Sequence, residues 1–185
     1  MTAIPGDWLR RAAPAALIVV SLGLAACGGS DSEPAEKKVA ATTAEPTVDQ
    51  AAADEQALEK LVTDFWSVRV AAQNTGEATP EQFAAVLEPG LVEVELGTVR
   101  DYKSLKVLRI GAPEITGVEV MAAGDTAELL ACLDEDGWAA EEDGKPVELP
   151  KTGKKAWGAK AERNGDRWII NDFLSVDESK AKKTC

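Results

Sequence analysis

The hydrophobic period of this 185-residue chain changes near Leu105, and that change limits its folds more than any other feature. Before it, apolar residues recur every three to four positions. From Asp49 to Gln73, Leu58, Leu61, Phe65, Val68 and Ala72 form one stripe, widened by Val62, opposite Glu55, Glu59, Lys60, Asp64 and Arg69. This is the pattern of an amphipathic helix. Thr47 and Gln50 can form its capping box, and Asn74-Thr75-Gly76 stops it. A short second helix is expected after Thr79, with Pro80 in its first turn, Gln82 completing another box and Phe83, Val86 and Leu87 facing inward. Pro89-Gly90 ends it. Residues 91–104 read two ways, as an edge strand through Val92, Val94 and Leu96 or as a third helix.

From Leu105 the period is two. Strands are expected over 105–110, 115–121, 126–134, 155–163 and 167–176, with turns at Gly124-Asp125 and Asn164-Gly165-Asp166. The unbroken run Leu129-Leu130-Ala131-Cys132-Leu133 marks a central strand. Residues 135–152 read as a long acidic loop, and Asp177 to Lys183 as a charged tail ahead of Cys185. Helices first and an antiparallel meander afterwards imply an α+β domain, its helices packed on one face of a curved sheet.

The first 26 residues stand outside this pattern. Arg10 and Arg11 precede an apolar run, Ala12 to Ala26, broken by Pro14, Ser21 and Gly23. The run is short for a membrane span, which needs about 20 apolar residues, and its order is that of a secretory signal peptide. Its end, Leu24-Ala25-Ala26-Cys27 followed by Gly28-Gly29-Ser30, resembles the lipobox of bacterial lipoproteins. The resemblance implies cleavage before Cys27, a diacylglycerol thioether on its thiol and attachment to the cell membrane on the extracytoplasmic face. The competing reading is an ordinary signal peptide cut at Ala-x-Ala. Residues 27–48 are rich in Gly, Ser, Asp, Glu, Pro, Ala, Thr and Lys and carry no aromatic residue. Such a segment cannot bury enough apolar surface to offset chain entropy, so it reads as a disordered tether. Residues 49–185 are then the folded domain.

Charge excludes one class of partner. Residues 1–26 hold Arg10, Arg11 and Asp7, so 18 of the 20 basic and 31 of the 32 acidic residues lie beyond them, a net charge of −13. That argues against nucleic acid, whose phosphates need a basic surface. The chain has no His, which removes the commonest general base and most zinc sites. With Cys27 assigned to lipid, Cys132 and Cys185 remain as an even pair in an exported protein, which points to a disulfide, with two free thiols as the alternative. The acidic runs Asp134-Glu135-Asp136-Gly137 and Glu141-Glu142-Asp143-Gly144 lack the ligand spacing of a calcium-binding loop and read as solvated acids. No metal and no cofactor is expected.

Several local segments, in order, carry a resemblance. They are Gly124-Asp125-Thr126-Ala127, Cys132-Leu133-Asp134, Asp136-Gly137-Trp138, Asp143-Gly144-Lys145-Pro146-Val147, Gly165-Asp166-Arg167-Trp168 and Cys185. With the helices before them, residues 53–185 resemble NTF2-like, or cystatin-like, α+β cones, and in particular small secreted actinobacterial lipoproteins of that superfamily. The resemblance implies a cone whose mouth can hold an apolar cavity, and dimerisation through the sheet. It gives the Cys pair a route, since strands 126–134 and 167–176 flank the same neighbour and end at one edge. It also implies that some relatives are isomerases or cyclases with Asp, Tyr or His in the cavity. Here Asp172, flanked by Ile170 and Leu174 and sharing a strand face with Trp168, and Tyr102 are the candidates; the plainer reading of Asp172 is an exposed or hydrogen-bonded strand residue. Trp66, Trp138, Trp157 and Trp168 either line a ligand pocket or form core. The expectation is a non-enzymatic domain that binds a partner protein or a small apolar ligand. Its rivals are a carboxylate-based isomerase or cyclase and an accessory subunit of a transport or secretion assembly.

Overall fold

A computed structural model describes residues 48–185; the signal segment, Cys27 and nearly all of the tether lie outside the described residues. Three helices come first: α1 (Val48–Thr75), α2 (Pro80–Ala84) and α3 (Pro89–Ser104). Seven strands follow: β1 (Val107–Ile110), β2 (Glu114–Ala123), β3 (Thr126–Asp134), β4 (Ala139–Glu142), β5 (Lys145–Val147), β6 (Lys155–Asn164) and β7 (Arg167–Phe173). A last helix, α4, spans Val176–Lys182.

The α1 stripe falls where the period places it, with Leu58, Leu61, Val62, Phe65 and Ala72 buried. Thr79 caps α2, and its N–H donates to Gln82 Oε1 at 2.8 Å, so the capping box forms. Residues 91–104 are helix. Val92, Leu96 and Val99 recur at helical spacing and are buried, whereas Val94 is 60% exposed. The alternation of Val92, Val94 and Leu96 therefore comes from two faces of a helix, and the edge-strand alternative falls.

The strands make two sheets rather than one meander. One has the order β2-β3-β6-β7, all antiparallel; the other has the order β1-β4-β5. The segment read as an acidic loop contains the hairpin β4–β5. Asp143 and Gly144, with φ of 51° and 72°, form its turn; Asp-Gly with both residues in the left-handed region suits a two-residue hairpin. β4 then takes β1 as its partner, and Lys106 ion-pairs with Asp143 at 2.7 Å.

Two bulges reset which residues face inward. In β2 the pairing steps from Thr116–Cys132 to Glu119–Leu130 around Gly117, whose φ is +59°. The bulge brings Ile115, Val118 and Val120 all against the core, although their spacing breaks strict alternation. In β7 the pairing steps from Lys160–Asp172 to Ala161–Ile170. One extra residue, Asn171, reverses the parity of the strand's end, so Phe173 rather than Asp172 joins Trp168 and Ile170 on the inner face.

β3 is central and buried on both faces. On its outer side Leu130 pairs with Gly158 of β6, and α4 packs over β6. The expected last strand ends at Phe173, and the charged tail is helical. Ser175 caps α4, accepting a bond from Glu178 N–H while Glu178 accepts one from Ser175 N–H. This helix carries Cys185 to Cys132: the two sulfurs lie at disulfide distance, with Cα atoms 5.6 Å apart. A second tie closes the other end of the domain. Asp54 of α1 accepts from Arg163 of β6 at 2.5 Å; Arg163 also reaches Asp125 in the β2–β3 turn and lies 4.4 Å from the Trp168 ring centroid.

Candidate binding surface

The space between α1 and the inner sheet face is filled. Phe65 stacks on Trp157 at 5.8 Å and meets Phe173 at 5.3 Å and Trp66 at 5.5 Å. Trp66 in turn meets Trp157 edge-on at 5.8 Å and Trp138 at 6.5 Å. These are offset and edge-to-face geometries at which aromatic rings attract. Leu58, Leu129, Phe83 and Ile170 are fully buried beside them. Three of the four candidate Trp residues thus meet in one cluster with Phe65 and Phe173, but as packed core. Trp168 stands apart, under Arg163.

Trp138 lies outside any strand yet is only 2% exposed. Its indole N–H donates to Asn74 Oδ1 at the end of α1, at 3.0 Å. The Arg109 guanidinium lies 3.9 Å from its ring centroid and donates to its carbonyl oxygen at 2.6 Å. Trp138 therefore clasps α1, β1 and β4 together. Asn74 is marked in the sequence only as part of a helix stop and Arg109 by no motif; as partners of Trp138 they are legible only once the two sheets are known.

The carboxylate candidate sits elsewhere. Asp172 is on the outer face of β7, its side chain 56% exposed, bonded to Lys160 Nζ at 2.9 Å. That bond holds its carboxyl below the usual range, the reverse of what a buried general base needs. Tyr102 is half-buried on α3. Neither residue lines any of the clefts described below. The reason is the β7 bulge, which turns Asp172 away from the face it would share with Trp168 under strict alternation. The buried carboxylates among the described residues are instead Asp54, held by Arg163, and Glu95 of α3, 3% exposed, which burial pushes above the ordinary glutamate range against the opposing pull of Arg69 3.5 Å away.

The concavities are open surface clefts. One, of about 690 Å³, runs between the α1–α2 turn and α3; Leu96, Val99 and Ala78 line it along with Arg100, Lys103 and Glu77. A neighbouring cleft of about 320 Å³ shares Gly76 and Lys103 and continues to Lys106 and Leu108. A third, of about 280 Å³, lies beside Trp138 and is edged by Arg109, Lys155 and Asp136. A fourth, shallow and mostly apolar, of about 450 Å³, separates Thr63, Trp66 and Val70 of α1 from Pro113 and Ile115. Among the described residues, no group of three or more Cys, Asp or Glu side chains converges as a metal site would. No described helix is long and apolar enough to cross a membrane.

Helices packed on a curved antiparallel sheet around a closed interior define an α+β domain. Solved structures are similar to it. The intermembrane-space region of the chloroplast protein ARC6 aligns with a TM-score of 0.50 at 14% identity, over 65% of this chain and 95% of that one. An NTF2-like protein with a cystatin-like fold from Novosphingobium aromaticivorans gives 0.44 at 12% identity, over 75% and 98%. A putative dehydratase of the NTF2-like family from Streptomyces avermitilis gives 0.42 at 14%, over 68% and 99%. Likeness at such identities concerns fold alone. No protein-family model matches the chain, and no curated protein matches it.

Proposed function

We propose that this chain is a lipid-anchored, extracytoplasmic binding domain that acts on a partner protein through its outer surface and catalyses no reaction. The observation that carries the reading is the filled interior. Where a cone enzyme would hold substrate, Phe65, Trp66, Trp157 and Phe173 hold one another. Asp172, the strand carboxylate the sequence offers for base chemistry, is in solvent and paired. What remains is surface, and the cleft of about 690 Å³ between the α1–α2 turn and α3 is a broad concavity on it. An apolar floor with polar walls is the composition of an interface centre. The anchor is proposed on the order of Arg10-Arg11, the apolar run to Ala26, and Leu24-Ala25-Ala26-Cys27. Two or more acyl chains, each CH₂ contributing about 0.8 kcal/mol, hold a protein firmly to a membrane.

Two measurements test the two halves. Cells given an alkynyl fatty acid should label the wild-type protein and not the Cys27→Ser variant; equal labelling of both sinks the anchor. A photocrosslinking residue at Lys103, inside the cleft, should give a discrete adduct in intact cells, while one at exposed Asp166 should not. Adducts at neither position, or equally at both, would remove the cleft as the binding surface.

A further inference from the structure

α4 is fastened to the sheet in an unusual way. A helix of seven residues is far below the ~12–15 needed for stability by itself, so its docking has to come from contacts. Yet its buried residue is Ser179, a hydroxyl that bonds within the helix to Ser175 O at 2.9 Å. Its one large apolar residue, Val176, is 61% exposed. No apolar side chain of α4 is buried in the sheet. Besides Ser179, what holds its C-terminal end is Lys182 to Glu128 at 2.7 Å, Lys183 to Glu119 at 2.6 Å, and the Cys185–Cys132 pair just beyond. The Lys182 pair is half-exposed, and Lys183, though its own side chain is only 8% exposed, reaches a Glu119 that is 59% exposed; ion pairs open to water contribute little, about 0–1 kcal/mol each. The surface beneath, by contrast, is apolar: Leu130, Ala156 and Gly158 are all buried on the outer side of β3 and β6.

We propose that α4 is a thiol-controlled cover over the outer face of the sheet, closed by the Cys132–Cys185 bond and released when that bond is reduced. Cys185 is exposed and Cys132 half-buried, so a thiolate can reach the bond from the Cys185 side. A dithiol reductant attacks one sulfur, forms a mixed disulfide and closes on itself. Two electrons and two protons pass to Cys132 and Cys185, and the reductant leaves as its own disulfide. With the link gone, the remaining ties cannot hold a polar helix on apolar strands. Its last turns separate and expose a strip along β3 and β6. This goes beyond the partner-binding reading: it concerns a different face and stands whether or not the α3 cleft binds anything.

The test is amide hydrogen exchange on the full chain, oxidised, treated with dithiothreitol, and as the double variant Cys132→Ser with Cys185→Ser. The expected result is exchange of the 179–183 amides at least tenfold faster in both thiol-free forms, with α1 and the centre of β3 unchanged. Trypsin cutting after Lys180 and Lys182 should accelerate in parallel. In the oxidised protein, Lys182→Ala with Lys183→Ala should leave α4 protected. Equal protection of α4 in all forms overturns the proposal. So does loss of protection throughout the domain on reduction, which would make the bond a general staple rather than a local latch.

Discussion

On the inner face of the four-stranded sheet, α1 lies on Leu58, Val62, Phe65 and Trp66, all buried against aromatic and aliphatic partners. On the outer face, α4 lies on Ser179 and is tied down at its far end by two ion pairs and a sulfur link. The first contact follows from removing apolar area from water, at about 25 cal/mol per Å². The second is a chain-specific fastening laid over an apolar surface that the helix itself does not match. The comparison teaches where this protein can move: the inner layer is one cooperative unit, and the outer helix is separable.

The strongest way to break the comparison is to empty the inner layer. Phe65 is fully buried and touches Trp66, Trp157 and Phe173. Phe65→Ala should destabilise the domain by about 4 kcal/mol, since truncating a buried Phe costs about 3–5 kcal/mol. Urea unfolding followed by tryptophan fluorescence measures it. A loss under about 1 kcal/mol would mean that the cluster is loosely packed, and a ligand cavity would return as a reading.

The outer face is sharpened at Gly158. A Cβ built there would lie 2.7 Å from Leu174 Cδ1 and 3.0 Å from Leu130 Cδ2. Those atoms are side-chain ends, so they can yield, but Leu174 leads directly into α4. Gly158→Ala should cost about 1–2 kcal/mol, the usual range for overpacking, and should loosen α4 before it affects α1. Hydrogen exchange resolved by segment would show the order; uniform loosening would contradict the separability of the outer helix.

A smaller effect is expected at the buried carboxylate of α3. Glu95 lies on α3 facing Arg69, whose guanidinium also lies 5.4 Å from the Trp66 ring centroid. Burial raises the Glu95 pKa in the fold, so protonation favours the folded state. That stability is fully present below the ordinary glutamate range and is lost as pH rises through the raised value. Glu95→Gln should therefore flatten the stability profile above the ordinary glutamate range, because the neutral amide has no proton to lose. Thermal unfolding between acid and neutral pH measures it. A clear loss at pH 7 would show that the Arg69 pair, not desolvation, dominates.

Most of the fold is legible in the sequence because the periods are long and clean. The 28-residue α1 shows its stripe from Leu58 to Ala72, about four turns, and β3 shows an unbroken apolar run. What is not legible rests on single residues. Asn171 as an extra residue reverses the end of β7, and nothing in Arg167–Phe173 marks it as a bulge. The β4–β5 hairpin has its Asp143-Gly144 signal, but Glu141, Glu142 and Pro146 suppress the strand pattern around it. α4 has a capping box in Ser175 and Glu178, yet no apolar stripe, because its attachment to the sheet is polar and covalent rather than apolar. Trp138 stands out in the sequence; its partners Asn74 and Arg109, 64 and 29 residues away in the chain, do not.

The smallest expected effect is also the one that separates a binder from an enzyme. Asp172 accepts from Lys160 across the outer face of β6–β7, with half of each side chain in solvent. Exposed pairs of this kind add little, because water and salt screen them and ordering two side chains costs entropy. Asp172→Asn should leave the unfolding temperature and the Lys103 photocrosslink unchanged. Lys160 should show its ammonium pKa falling back once the carboxylate that raises it is gone, a change that ¹⁵N- or ¹³C-detected titration of the lysine side chain reads directly. If Asp172→Asn instead abolished cross-linking at Lys103 while the Lys160 titration moved as expected, Asp172 would act through the outer face on whatever occupies the cleft. The separation of the two surfaces would then fail. If stability fell sharply, Asp172 would have to hold more than Lys160, contrary to its place in solvent.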